Sequence, residues 1–358
     1  MSRNGEEGPS RVSVVVPARE VDQALELCLE NLGRTSPAPG ETIVVLDGCP
    51  DRDLAARFGV RVVALPARRG PAAARNAGAR HARGDVLLFV DADVIVPPGL
   101  VAQVSSALAD EPEISAVFGS YDDEPCATNL VSLYKNLLHH HVHQNACREA
   151  STFWSGCGAI RREAFLAAGG FDEGFARPSI EDIELGGRLR RGGHRIRVCR
   201  DLQVKHQKRY SLASLLRSDV RDRALPWTRL ILENRELPHD LNLSTSSRAS
   251  AGVVCALIAC AAGALLAPRL LLAVPLLVAA LVALNRDFYA LVARKRGAAA
   301  LLAVLPLHGL YFLYSSLAFA WCLAEHATAR ARARVAARPA PALEESPAEP
   351  ASFSRDAA

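Results

Sequence analysis

The sequence predicts an α/β domain, a mostly parallel sheet covered by helices on both faces, followed by C-terminal transmembrane helices. Three observations predict it. Short apolar runs alternate with helical stretches in the first half, several of those runs end on an acid or a proline, and the apolar excess collects at one end. Alternating strands and helices argue for a parallel sheet, whose ligands bind beyond the carboxyl ends of the strands. The 358 residues suffice for about two units. Half are hydrophobic and mean hydropathy is +0.10, yet only Arg269, Arg286, Asp287, Arg294, Lys295 and Arg296 are charged between Ala249 and Ala324. This composition excludes a disordered, collagen-like or disulfide-miniprotein chain and argues against an entirely soluble one.

The elements follow in order. Val12–Val16, closed by Pro17, reads as a buried strand. A helix over 21–33 leads to a strand at 42–46 ending on Asp47, and 60–65 is a third strand. Pro71 starts a helix that Gly84 stops. Residues 85–90 form a strand ending on Asp91-Ala92-Asp93, and a helix to about Asp110 precedes a strand at 114–119. Beyond it, 129–146, 162–168 and 181–191 read as helices, 153–158 as a loop and 195–199 as a last strand. From Leu212 to Leu232 apolar residues recur at helical spacing opposite Arg217, Arg221 and Arg229. This is an amphipathic helix, interrupted near Pro226, for the membrane surface or, on the alternative reading, for packing on the sheet.

Residues 249–267, 270–284 and 298–324 are apolar; the first and last are long enough to span a bilayer, and the second is short for a full span. The predicted organisation is a disordered N-terminus at 1–10, the α/β domain at 11–208, an interfacial helix and linker at 209–248, a membrane region of two or three helices at 249–324, and a disordered tail at 325–358. Residues 285–297 read as a basic loop, which three spans place on the cytoplasmic side; a hairpin plus a re-entrant segment is the alternative. The polar start has no secretory apolar run. Nine cysteines without a CxxC pair suit free thiols. Together these place a multi-pass protein in the cell membrane, its α/β domain facing the cytoplasm. Net charge is +4 with no basic stripe interleaved with aromatics, which argues against nucleic acid.

Asp91-Ala92-Asp93 is the sharpest chemical feature. Two carboxylates one residue apart on a turn can face one point, which suits Mg²⁺ or Mn²⁺ bridging a diphosphate; acids after strands are also common without such a role. Further segments give it context: Val14-Val-Val-Pro-Ala-Arg-Glu20, Val44-Val-Leu-Asp-Gly-Cys-Pro-Asp51, Arg69-Gly-Pro-Ala-Ala-Ala-Arg-Asn-Ala-Gly78, Gly84 to Asp93, Gly169-Gly-Phe-Asp-Glu173 and Ser179-Ile-Glu-Asp182. In this order, over roughly Val12 to His206, the sequence resembles the inverting family 2 glycosyltransferases, which have the GT-A fold, a Rossmann-like sheet.

The resemblance implies roles. Pro17, Ala18, Arg19, Glu20 and Asp47 would line the nucleotide, with Arg75 near the base or diphosphate. Asp91 and Asp93 would bind ribose and metal, Asp93 being the main metal ligand. Asp182 would be the general base, although Ser179 to Asp182 also has the form of a capping box. Trp154, Gly156 and Glu181 fall on the acceptor side, where Trp154 stacks on a ligand or is simply core. His206 is a possible metal ligand, and Arg221 or Arg223 would contact the diphosphate. The Asp51 turn is one residue longer than the usual form. His139 and His143 share a helix face, as a metal pair or as part of a polar acceptor-side helix.

The implied activity is metal-assisted transfer of a sugar from a nucleotide-sugar donor to a membrane acceptor of lipid or polyprenyl type. Arg223-Ala-Leu-Pro-Trp227 only partly matches the sequence of processive members, so a polysaccharide synthase is the alternative, and a non-catalytic membrane scaffold a more distant one. Nucleotidyl transfer lacks its Gly-rich loop, since that position reads Pro-Ala-Arg-Glu.

Overall fold

The computed structural model describes residues 12–336, with side chains to residue 332. The elements are β1 Val12–Ala18, α1 Gln23–Leu32, β2 Glu41–Asp47, α2 Leu54–Phe58, β3 Arg61–Leu65, α3 Pro71–His81, β4 Val86–Val90, β5 Val94–Ile95, α4 Leu100–Asp110, β6 Ile114–Tyr121, α5 Leu130–Gln144, β7 Cys157–Arg161, α6 Arg162–Ala167, α7 Glu181–Arg191 and β8 Arg195–His206. After them come α8 Leu212–Leu216, a π-helical stretch Arg217–Ala224, α9 Leu225–Asn234, α10 Thr245–Gly263, α11 Val274–Leu284 and α12 Arg286–Ala336.

The sheet order is β3-β2-β1-β4-β7-β6-β8-β5. β1 lies inside it with Val12, Val14, Val15 and Val16 all buried, as the continuous apolar run requires. β1, β2, β3 and β4 are parallel. The expected mostly parallel sheet is corrected to a mixed one: β7 runs antiparallel to both β4 and β6, and β5 antiparallel to β8. β7 begins inside the segment read as a loop. A Cβ at Gly158 would stand 2.3 Å from the Trp154 carbonyl oxygen and 2.5 Å from the Phe153 ring, so only glycine lets this strand pass. β8 runs seven residues past the predicted strand because Leu202, Val204 and His206 continue its buried face. The β6–β8 ladder shifts register near Gly119, whose Cβ would fall 1.9 Å from the Leu202 oxygen.

The helical half differs from its sequence reading in three ways. Pro226 does not interrupt the 212–232 helix; it sits in the first turn of α9, where its missing N–H costs nothing, and the irregular stretch is the π-helix before it. The basic 285–297 segment is helical, breaking only at Gly297 (φ 79°). There Phe288, Tyr289 and Val292 form a second core with Tyr134 and Leu137 of α5 and Leu215 of α8. Residues 325–336 of the expected disordered tail belong to α12; 337–358 and 1–11 lie outside the described residues.

Helix α12 is fastened to the α/β domain at one point and to the π-helix and α9 at two more. Lys295 pairs with Asp123 at 2.7 Å, Tyr314 donates to Asp219 at 2.5 Å, and Arg229 meets Glu325 at 3.1 Å. Thr245–Gly263 and 286–332 are long and apolar enough to cross a membrane, while 268–284 is shorter. Leu265, Leu266, Leu272 and Leu276 are largely exposed around the α10–α11 connection.

Candidate active site

Parallel strands β1, β2 and β4 deliver Ala18, Asp47 and Asp91 to one edge. There a cleft of 610 Å³ is lined by Pro17, Ala18, Arg19, Glu20, Asp47, Arg75, Asp91 and Asp93, all expected at the nucleotide or metal, but not by His206, the other possible metal ligand. Asp47 folds the rim, its carboxylate accepting from the backbone N–H of Arg69 (2.7 Å) and of Gly70 (2.9 Å). Gly70 has φ 92°, and a Cβ there would lie 2.5 Å from the Ala176 oxygen. Gly70→Ala should therefore cost about 1–3 kcal/mol and weaken nucleotide binding, read by thermal unfolding with and without nucleotide. Asp51 accepts from the Leu54 N–H at 3.1 Å, ordering the turn before α2. It is absent from the residues lining the cleft.

Arg75 joins two carboxylate sites. Its guanidinium is buried and bonds Asp91 Oδ1 at 2.7 Å and Glu181 Oε1 at 3.0 Å. Burial works against its charge, but Asp91, Glu181 and Asp182 outweigh burial and push its pKa up. Burial likewise opposes ionisation of Asp93, yet His206, with Nε2 at 3.7 Å, and Lys208 hold its carboxyl below the ordinary value. The His206 ring stacks on Tyr121 at 4.1 Å. Among the described residues no three His, Cys, Asp or Glu side chains gather to cage a cation. Two carboxylates opening on a cleft, with a histidine beside them, still fit Mg²⁺ or Mn²⁺, which take one or two carboxylates and complete their shell from substrate phosphates.

Asp182 lies beyond Arg75, in a small enclosed chamber with Trp154, Lys135, His139, Arg223, Trp227 and Tyr311. Burial first, and then the charge of Glu181, raise its pKa to about 6, although Arg223 and Arg75 pull the other way. The expected capping box does not form. Ser179 N–H bonds Glu181 Oε2 at 2.8 Å and Ser179 Oγ donates to the Asp222 carbonyl, so Asp182 is not consumed as that cap. It accepts from Ser155 N–H at 3.2 Å and from Ile183 N–H at 2.8 Å.

Other assignments are corrected. Glu181 does not face an acceptor, because its two oxygens are taken by Arg75 and Ser179. Gly156 is a packing glycine, since a Cβ there would stand 2.4 Å from the Trp154 ring. Trp154 is both core and chamber wall, touching Tyr121, His139 and His143. His139 and His143 stack face to face at 3.9 Å, and His143 Nδ1 bonds the Gly119 carbonyl. This packing takes the place of a metal pair. Arg221 is exposed and the structure does not bring it to the site, whereas Arg223 lines the Asp182 chamber and not the donor cleft. Sequence reasoning missed Lys208 in the cleft and Lys135 in the chamber. Lys208, two residues past His206 at a strand end, carried a usable signal; Lys135 reads as an ordinary helical lysine.

Residues 13–167 match the family model described as Glycosyl transferase family 2. The chain is 31% identical over 220 residues to a pre-mycofactocin glycosyltransferase of Mycobacterium tuberculosis, covering 57% of this chain and 45% of that protein. It is 28% identical over 240 residues to the validoxylamine A glucosyltransferase of Streptomyces hygroscopicus subsp. limoneus, covering 55% and 52%. The chain thus spans about half the length of these curated relatives. Among solved structures, a mannosyltransferase from Pyrobaculum calidifontis in complex with GDP-Man and Mn²⁺ superposes with TM-score 0.52 at 19% identity, covering 87% of both chains. That likeness establishes the GT-A fold.

Proposed function

We propose that this chain, whose residues 13–167 match the glycosyl transferase family 2 model, moves a sugar from a nucleotide-sugar donor in the Asp91–Asp93 cleft to a membrane acceptor activated by Asp182. One observation carries this reading. A single buried guanidinium, Arg75, separates an acidic cleft open to solvent from an enclosed carboxylate whose pKa is raised to about 6. A base is most effective when its pKa lies near the working pH. Asp182 is ionised at pH 7 yet able to take the proton of an acceptor hydroxyl. Lys208, which lines the cleft, would face the leaving nucleoside diphosphate as it gathers charge, with His206 beside Asp93. A divalent cation held by Asp93 and Asp91 beside His206 would supply Lewis-acid stabilisation there.

The membrane claim rests on the helical half. The leucines exposed around the α10–α11 connection suit insertion of that hairpin into a bilayer, with the Lys295–Asp123 pair keeping the basic segment beside the catalytic domain on the cytoplasmic side. Helix α12 is read differently from a simple span. Between Tyr314 and Glu325 it advances about 16 Å, and both residues bond groups ten positions apart on the π-helix and α9. A helix running beside α9 in this way lies along the membrane face of the domain. Tethering then presents lipid acceptors at high effective concentration.

The test is a screen of nucleotide sugars with Mn²⁺ or Mg²⁺ on membranes containing the protein, reading nucleoside diphosphate release together with lipid-extractable product. Asp93→Asn should lower metal-dependent nucleotide affinity at least tenfold. Product growth beyond one sugar would indicate the processive alternative, and unchanged transfer by both Asp93→Asn and Asp182→Asn would sink the mechanism.

A further inference from the structure

Among the described residues, two hydrogen-bond donors of the Asp182 chamber have no partner to donate to. The Arg223 guanidinium has no hydrogen-bond or ion-pair partner among the described residues, although it lines the chamber and feels Asp182 and Asp219 only at longer range. His139 is the second. Its Nδ1 faces the Tyr121 N–H at 3.5 Å, and its buried Nε2 has no partner. Burial, then the neighbouring His143 and Arg223, keep this ring uncharged. With Nδ1 turned to an N–H, the proton sits on Nε2, which is a donor. Lys135 is a second cation in the same chamber, held at 2.5 Å by Asp219, which Tyr314 of α12 also grips. An unmatched buried donor is costly, and buried polar groups are ordinarily satisfied. His139 Nε2 is such a donor, and beside it stands the half-buried, unpaired guanidinium of Arg223; next to a carboxylate already bonded to Ser155 and Ile183, the two call for a ligand rich in acceptor oxygens.

We propose that the Asp182 chamber binds a compact oxyanion carried by the acceptor, with Arg223 as its charged ligand and His139 Nε2–H as a second donor. This rests on the transferase reading and names the substrate class. The donor diphosphate is not the group meant, because Arg223 does not line the donor cleft. Access fits an amphiphile. Leu138, Val142, Leu241, Asn242 and Tyr311 line both the chamber and a 250 Å³ cavity between α5 and α12, so an oxyanion seated at Arg223 can trail its remainder toward the apolar helices.

Two tryptophans, Trp154 and Trp227, line the chamber, so their fluorescence reports binding without turnover. The full-length protein, its donor cleft saturated with nucleoside diphosphate and Mn²⁺, is titrated with inorganic phosphate and with vesicles of phosphatidic acid or phosphatidylcholine. The expected result is a saturable change with phosphate or phosphatidic acid and none with phosphatidylcholine. Response to free phosphate alone identifies a soluble source, and a response at least tenfold stronger to phosphatidic acid a lipid one. Arg223→Gln should weaken the response at least tenfold and His139→Gln severalfold, with nucleotide affinity unchanged in both. Arg223→Lys, which keeps the charge but loses the fork, should recover part of it. No response in the wild type, or an equal response in Arg223→Gln with nucleotide binding intact, overturns the proposal. Sugar transfer to neutral acceptors without a phosphate response removes the oxyanion site and leaves the transferase; a phosphate response without transfer does the reverse.

Discussion

Arg75→Met is expected to lower the unfolding free energy by about 3–5 kcal/mol and to abolish nucleotide binding. The guanidinium is buried, bonded to Asp91 and Glu181, and lies over the Phe171 ring at 5.5 Å. Methionine fills the space but leaves Glu181 buried and Asp91 half-buried with no counter-charge. Removing one partner of a buried pair costs far more than the pair itself contributes. Adding Glu181→Gln should therefore restore part of the loss, because the more deeply buried of the two orphaned charges is gone. Denaturant midpoints of the two single variants and the double variant measure this coupling. Additive losses would mean that Arg75 does not bridge the two sites.

Asp182→Asn should slow sugar transfer by about 10²–10⁴-fold, the usual contribution of a positioned base, without destabilising the fold. The sign follows from the raised carboxyl. Its folded pKa of about 6 exceeds the ordinary 3.8, so the folded state holds its proton more tightly than the unfolded state. Ionised Asp182 therefore costs stability, and that cost develops as pH rises from about 4 to 6. Asn is neutral throughout. The variant should match the wild type near pH 4 and exceed it at pH 7 by on the order of 1–3 kcal/mol. Thermal unfolding at the two pH values checks this, and a variant less stable than the wild type at pH 7 would assign Asp182 a structural role.

The donor cleft was legible in sequence because it is built from strand ends. Apolar runs locate β1, β2 and β4, and the acids that close them must share an edge once the strands are parallel. Eight of the residues assigned to the nucleotide and metal line one cleft, and His206 stands outside that lining, next to Asp93. The chamber was less legible because its walls come from elements far apart in sequence. Arg223 and Asp219 reach inward from a π-helix, a geometry that no apolar periodicity announces. Glu181 and Asp182 are adjacent acids at the start of α7, and only the fold shows that one bonds Arg75 while the other faces the chamber. β7 was hidden by Gly158 and by Gly156 just before it, which serve close packing against Trp154 and Phe153 and so give no strand-like pattern. The docking of α12 was hidden for the opposite reason. A nearly uniform apolar stretch does not reveal which side carries Tyr314 to Asp219.

The most direct test of the account is the pH dependence of sugar transfer by the wild-type protein, measured at saturating nucleotide sugar between pH 5 and 8. If Asp182 takes the acceptor proton, the rate rises with pH along a limb with its midpoint near 6, where this carboxyl titrates, and that limb is missing from the residual activity of Asp182→Asn. A rate that is flat across the range, or the same limb in both proteins, would contradict it.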